Sequence, residues 1–468
     1  MSELPEGIAP ASEVPPRDSA SGIVVRPAPG GGWEVLLGLR SARSRFMPGH
    51  LAFPGGAVEA ADRPGEPGAW ERCVAREIGE ETGLAIDPAS WSPAGERVTP
   101  PMFAARFRTR FFVAALPEPE PALAPASAEN ERLCLAPPSR VLGDWERGEA
   151  RLPPPVLPIL RAIAAHDRGG RVDLSRALAA VNAAEERAPR IEFLPGLWML
   201  PVRTATLPPA THTNVWLPGA GRFVVVDPGS SDPQELERLL AVVARRKLAG
   251  GEPVAVVLTH HHHDHVAGAA QVARALDLPV RADEQVLRLL GSRLSGVAAE
   301  PLADGDRLDL DGETLEVHST PGHAPGHLAF HAPERRALVA GDMVGGLSTI
   351  LIDPVHGAMG DYLRSLERLR RLDCATLLPG HGPPLPGTEL ARVIDHRRAR
   401  EARILAALDP AADLVDLAAR AYSDTPQLPA ALTRAQTLSH LVHLERTGRA
   451  RREDPAGTRW SRVDQGAG

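Results

Sequence analysis

Residues 257–268 read VLTHHHHDHVAG, and this run constrains the chain more than any other. An apolar stretch suited to a buried strand passes at once into His260, His262, Asp264 and His265, in the pattern H-x-H-x-D-H. Imidazoles and a carboxylate at alternating positions on a loop after a strand can face two ions at once, because zinc takes three or four nitrogen or oxygen ligands. A histidine run alone also suits a loose metal-binding tract. Further ligand types at later strand ends decide between the two. His323 lies in STPGHAPGH, Asp342 in LVAGDM and His381 in LLPGHGP. Each follows an apolar run and sits beside glycine, which lets backbone approach a crowded centre.

This series resembles the five-motif signature of the metallo-β-lactamase superfamily over about 200 residues, from Thr211 to Pro384. The resemblance implies an αββα sandwich with two metal ions, expected to be Zn²⁺. His260, His262 and His323 would hold one, and Asp264, His265 and His381 the other, with Asp342 bridging. Two ions a few ångströms apart lower the pKa of a shared water and polarise an electrophile's oxygen. No separate nucleophilic side chain is then needed, and Asp264 is placed to orient the water. Asp227, in VVVDPGS, resembles the aspartate of the superfamily's first motif and is expected to support the metal loop from behind. His261 and His263 read as fillers, and His327 as a supporting or structural residue.

A second signature precedes it. Residues 53–59 read FPGGAVE and residues 76–84 read REIGEETGL. Glu77 and Glu81 are four apart and share a helix face, with Glu80 adjacent, on what reads as a helix start. Such carboxylates suit Mg²⁺ or Mn²⁺ gripping a diphosphate, and Arg76 would orient one of them. Together the two stretches resemble the Nudix box, which implies an α/β/α sandwich and diphosphate hydrolysis by Glu77, Glu80 and Glu81. The gap from Gly56 to Arg76 is six residues longer than in that box, with the insert ADRPGEPGA. Counting back from Arg76 puts Gly68 where a glutamate belongs, and counting forward from Gly56 puts Asp62 there. The insert, with RSARSRFMPGHLAFPGG and TPPMFAARFRTRFF, resembles the coenzyme A diphosphatase-like subgroup. Glu129 or Glu131 could add a carboxylate from a late loop.

At 468 residues the chain is long enough for several domains. The expected divisions are a Pro-rich disordered lead-in (1–20), a Nudix domain (21–166), a helical joint (167–190), a metallo-β-lactamase domain (191–395) and a helical tail (396–468). Arg106–Leu116 reads as a strand and Pro117–Ala126 as a loop. Strand–helix alternation through the middle block implies layered α/β architecture. The segment GAMGDYLRSLERLRRL and the tail resemble the β-lactamase-like protein 2 subgroup near glyoxalase II, whose tail is a winged helix. ARREDPAGTRW would form the wing's hairpin, with Arg446, Arg449, Arg451 and Arg452 gathered at its start. A net charge of −7 argues against bulk nucleic-acid binding. Three cysteines without paired spacing point to a reducing cytoplasm, and no run is apolar enough to span a membrane.

These features describe a two-headed, metal-dependent hydrolase. An acyl thioester or other ester is expected at the zinc centre, and a coenzyme A-like or nucleoside diphosphate at the carboxylates. Two alternatives stay open: a single-stranded endoribonuclease whose Nudix module recognises a nucleotide, and a nucleic-acid-binding regulator with a degenerate Nudix domain.

Overall fold

The computed structural model describes residues 11–29, 31–44, 47–103, 105–117, 123–166, 170–454 and 458–463. Four expectations fall partly outside them: the first ten residues of the lead-in, 118–122 of the loop, 167–169 of the joint and 455–457 of the hairpin. The chain forms two compact units. Glu13–Leu200 with Ala241–Arg245 make one, and Pro201–Leu240 with Arg246–Gly468 belong to the other.

The first unit is built on a mixed sheet whose central strand, Arg17–Pro27, runs parallel to Phe107–Ala115 and antiparallel to Trp33–Arg40. Alternation along these strands sends side chains to opposite faces. Ala20, Val24, Leu36, Phe112 and Ala114 meet Cys73, Val74 and Ile78 of the helix Ala69–Thr82. Ile23, Val25, Val35, Leu37, Phe111 and Val113 pack under the helices Pro138–Glu146, Val156–Ala165 and Arg171–Arg187. Two buried faces with helices on both make this an α/β/α sandwich.

Two boundaries differ from expectation. The first strand begins at Arg17, inside the stretch read as lead-in, because its buried run reaches back to Ser19 and Ala20. The helix Arg171–Arg187, read as a joint, belongs to the first unit. Ser175 Oγ donates to Pro93 O (2.5 Å) and Asn182 Nδ2 to Ala94 O (2.7 Å), while Leu174 and Leu178 enter the core.

The second unit carries a small sheet in its tail and two large ones before it. One holds His212–Leu217, Arg222–Val226, Glu252–Val257, Val280–Ala282 and Ala299–Pro301 in that spatial order, parallel from Arg222–Val226 onward. The other runs Arg307–Asp309, Thr314–Ser319, Leu328–Ala332, Ala337–Gly341, Thr376–Pro379 and Leu385–Pro386. Backbone bonds tie the two, from Leu328 N to Thr259 O (2.8 Å) and from Asn214 N to Gly380 O (2.8 Å). Ala329, Leu338 and Ala340 on the second sheet pack against Tyr362, Leu366 and Leu369 of the helix Met359–Leu369, with Leu390 and Ile394 of the next.

The tail follows without a break. The helix Glu389–Ala407 starts before the expected boundary and leads to the strand Ala412–Asp413 and the helices Leu414–Ala421 and Ala430–Arg446. The antiparallel strands Ala450–Arg452 and Arg459–Arg462 close it, the latter also pairing with Ala412–Asp413. Ile404, Leu408, Leu417, Leu441, Leu444 and Trp460 form its core. Among the described residues, no helix is long and apolar enough to cross a membrane.

Candidate metal centres

The strand Glu252–Val257 delivers the histidine run to a strand end, as the apolar stretch predicts, and a short helix His263–Val266 turns it back. His260 and His262 precede that turn; Asp264 and His265 lie within it. The later residues arrive from the ends of Thr314–Ser319, Ala337–Gly341 and Thr376–Pro379. His262 Nδ1 lies 3.0 Å from both His260 Nε2 and His323 Nε2. His265 Nε2 and His381 Nε2 are 3.2 Å apart, and Asp264 Oδ2 is 3.4 Å from His381 Nε2. Donors on a tetrahedral zinc ion with bonds of about 2.05 Å sit roughly 3.3 Å apart, so both groups have ligand spacing.

Asp342 stands between the groups. Its Oδ2 is 3.5 Å from His323 Nε2 and 3.7 Å from His381 Nε2, and its Oδ1 is 3.5 Å from His265 Nε2. That Oδ1 is buried and has no hydrogen-bond partner. A buried carboxylate oxygen with nothing to accept from is costly unless a cation satisfies it. The donor set therefore fits a pair of ions sharing Asp342. Gly380 makes the approach possible: a Cβ there would lie 2.5 Å from Asp342 Oδ1 and 2.6 Å from His265 Cε1.

The second ring nitrogens are held too, which fixes each imidazole's orientation and tautomer. His260 Nδ1 is 2.9 Å from Thr259 Oγ1, and His265 Nδ1 2.8 Å from Asp227 Oδ2. His323 Nδ1 faces Leu351 O (3.0 Å), and His381 Nδ1 faces His212 O (2.9 Å). Asp227 also accepts from Thr259 N (2.8 Å) and Thr259 Oγ1 (2.6 Å), which ties it to the residue directly before the histidine run. His327 Nε2 accepts from Asp342 N (3.3 Å) while its Nδ1 meets Thr320 Oγ1 (2.8 Å), a support for the bridging carboxylate. Thr259, Leu351 and His212 carried no motif signal, since backbone carbonyls and a lone threonine hydroxyl leave no mark in a sequence.

Electrostatics divide the histidines into two pairs. Burial, and then the neighbouring histidines, hold His260 well below its usual range and bring His323 down to about 3, so both rings stay neutral. Burial also pulls at His265 and His381, but Asp342, with Asp227 or Asp264, outweighs it and raises both. Burial opposes ionisation of Asp264 and Asp342, yet His381 and His265 hold both carboxylates below their usual range.

In the first unit, Arg76 organises the carboxylates. Its guanidinium reaches Asp62 with two bonds (Nε to Oδ1 3.0 Å, NH2 to Oδ2 2.8 Å), Glu77 Oε1 (2.9 Å) and Glu80 Oε2 (3.1 Å). Of the two candidate positions, Asp62 meets Arg76, whereas Gly68 caps the helix with φ +78°. The residues between them loop out. Glu81 is buried, accepting from Asn130 Nδ2 (2.6 Å) and Gly55 N (3.3 Å), and burial pushes it up to about 7. Gly56 is required by Glu77, whose carboxylate would lie 2.4 Å from a Cβ there. Burial raises Glu77 as it does Glu81, and the charge of Glu129 adds to both. Glu131 Oε1 accepts from Ala42 N instead (2.8 Å).

Two expectations are corrected here. REIGEET closes the helix Ala69–Thr82 and does not start it, because Gly68 begins the helix about two turns earlier and Gly83 ends it at φ +73°. The three glutamates also do not draw together as the histidines do. Among the described residues, the groups of metal-type donors within 4.8 Å of one another all lie in the second unit. One of these, Glu316 with His318 and His331, is distant from the centre. Arg307 NH2 on Glu316 (2.7 Å) and Arg368 NH2 near His318 Nδ1 (3.4 Å) give it cations already.

Residues 208–381 match the metallo-beta-lactamase superfamily, and residues 16–154 the NUDIX domain. The chain joins a Nudix domain to a metallo-β-lactamase domain. It is a hydrolase of the multidomain α/β class. A beta-lactamase-like protein 2 homolog of Caenorhabditis elegans is 29% identical over 46% of this chain and 72% of its own length. An atrochrysone carboxyl ACP thioesterase of Paecilomyces divaricatus is 28% identical over 42% of this chain and 59% of its own length. The chain thus spans about three-fifths of the fungal protein. A beta-lactamase domain protein of Burkholderia ambifaria shares the fold, with a TM-score of 0.51 and 23% identity over 58% of this chain and 93% of that one.

Proposed function

We propose that the metallo-β-lactamase domain is a di-zinc hydrolase of acyl thioesters or related esters. The observation that carries this reading is the buried Asp342 standing between two three-donor groups. His260, His262 and His323 would hold one ion, Asp264, His265 and His381 the other. Bound zinc supplies Lewis-acid polarisation and a water acidified toward neutral pH. Asp264, held below the usual carboxylate range by His381 and His265 against its burial, would also orient that water toward the carbonyl carbon. Asp227, Thr259 and His327 keep the ligands oriented. The thioester is favoured by the fungal relative, which is named as a carboxyl ACP thioesterase.

The Nudix domain, on this proposal, cleaves a diphosphate with Mg²⁺ or Mn²⁺, which would have to draw Glu77, Glu80 and Glu81 together from their present spacing, with Arg76 and Asp62 positioning them. The insert keeps a coenzyme A-like diphosphate as the favoured class. The tail's helix–strand–helix–helix–hairpin order supports a winged helix. RNA as substrate is less favoured, because Arg449 bonds Glu401 (2.7 Å), Arg451 Glu453 (3.0 Å) and Arg452 Glu445 (3.2 Å). The test is hydrolysis of acyl-CoA, free coenzyme A and short RNA, with zinc and magnesium supplied separately. Zinc-dependent thiol release from acyl-CoA is expected; cleavage of RNA alone would replace this reading with the ribonuclease.

A further inference from the structure

Between the bridging Asp342 and the helix Met359–Leu369 the chain runs through Gly345–Asp353 with no strand or helix. Backbone carbonyls in such a segment need partners, and buried ones need them strictly. Three successive carbonyls here are all satisfied by side chains. Leu351 O faces His323 Nδ1 at 3.0 Å. Ile350 O, one residue before, accepts from Gln436 Nε2 (2.8 Å) and from the Arg397 guanidinium. Ile352 O, one residue after, accepts from Ser439 Oγ. Gln436 and Ser439 are on the helix Ala430–Arg446 and Arg397 on Glu389–Ala407, so both helices come from the tail.

We infer that the tail is a positioning device for the metal centre, with Arg397, Gln436 and Ser439 clamping Ile350 and Ile352 so that Leu351 O orients His323. A peptide carbonyl is held rigidly when both neighbouring peptides are fixed, because only two soft dihedrals separate each pair. Gln436, Ser439 and Arg397 are buried, so these bonds form away from competing water. Arg397 extends the clamp to the bridging residue. Its guanidinium lies 5.3 Å from the centre of the Tyr362 ring, and Tyr362 Oη donates to Met343 O (2.7 Å), directly after Asp342. The tail therefore reaches the site twice, through His323 and through the backbone beside Asp342, without supplying a ligand.

The inference rests on the di-zinc reading, and the experiment separates the two. Full-length wild type, Gln436→Ala, Ser439→Ala and the double variant are titrated with zinc against a chromophoric chelator that resolves both binding constants. Outer-shell partners of ligands are worth about 10–100-fold in metal affinity. The double variant is expected to lose affinity by that order for one ion, with the other within about twofold. Leu444→Ala, which cuts the tail's own core and touches none of the three carbonyls, is the control for general destabilisation. It should lower the melting temperature and leave both constants unchanged. Wild type that binds no zinc would defeat the di-zinc reading itself. Wild type that binds two ions, with the double variant matching it or Leu444→Ala losing as much, would overturn the clamp alone.

Discussion

Asp342 and Asp62 are both buried aspartates, and their partners give them opposite jobs. Asp342 keeps an oxygen unpaired between two histidine groups, whereas both Asp62 oxygens are taken by Arg76. Removing one partner of a buried pair strands the other charge. Asp62→Ala should therefore destabilise the first unit by about 2 kcal/mol, less than a full stranded pair because Arg76 keeps Glu77 and Glu80. Urea unfolding followed by the first unit's tryptophans measures it; an unchanged midpoint would deny Asp62 the structural role. The cysteines make a second residue-scale prediction. Burial pushes Cys73 up to about 12 and Cys374 up to about 11, and it raises Cys134. Thiolates are the reactive form. At pH 8 a disulfide-exchange reagent should titrate less than one thiol in the native protein and all three after denaturation. Prompt native reaction of Cys73 would contradict its placement in the core.

At the scale of elements, strand ends explain why the metal site was legible. The histidine run follows an apolar strand, and His323, Asp342 and His381 each come directly after a glycine at a later strand end, a pattern that sequence preserves because local chemistry sets it. Helix starts were less legible. REIGEET shows the i,i+4 spacing of a helix, but spacing does not say where along the helix it falls, and the cap Gly68 lay inside an insert. Asp62 was one of two candidates until the loop folded back on Arg76. The helix Arg171–Arg187 resembled a joint because its composition is Ala-rich, while its packing depends on Pro93 and Ala94, some eighty residues earlier. The carbonyls of Ile350, Leu351 and Ile352 were invisible for a similar reason, since backbone groups carry no residue identity. The helix Ala69–Thr82 carries its own prediction. Glu77→Gln or Glu81→Gln should abolish diphosphatase activity and leave zinc-dependent thioester hydrolysis within about twofold, since the two donor sets share no residue. Loss of both activities in a folded variant would remove the two-headed reading.

For the molecule as a whole, two candidate donor sets stand on two separate units, each unit with its own core. Oxygen-only donors suit Mg²⁺ or Mn²⁺, and imidazoles suit zinc, so the metals need not compete. The tail belongs with the zinc centre in this account. Deletion after Asp395 removes Arg397, Gln436 and Ser439 together and cuts the helix Glu389–Ala407 near its start. Activity at the zinc centre should then fall at least tenfold on small and large esters alike, with diphosphatase activity kept. A loss confined to a polymeric substrate would return the tail to substrate recognition. The central claim is that Asp342 joins two metal sites into one centre. Metal analysis of the purified chain, wild type beside Asp342→Asn, tests it most directly. The account predicts close to two zinc ions or similar transition metals per wild-type chain and loss of both in the variant. Full occupancy in Asp342→Asn, or a wild type that takes up none when zinc is supplied, would contradict it.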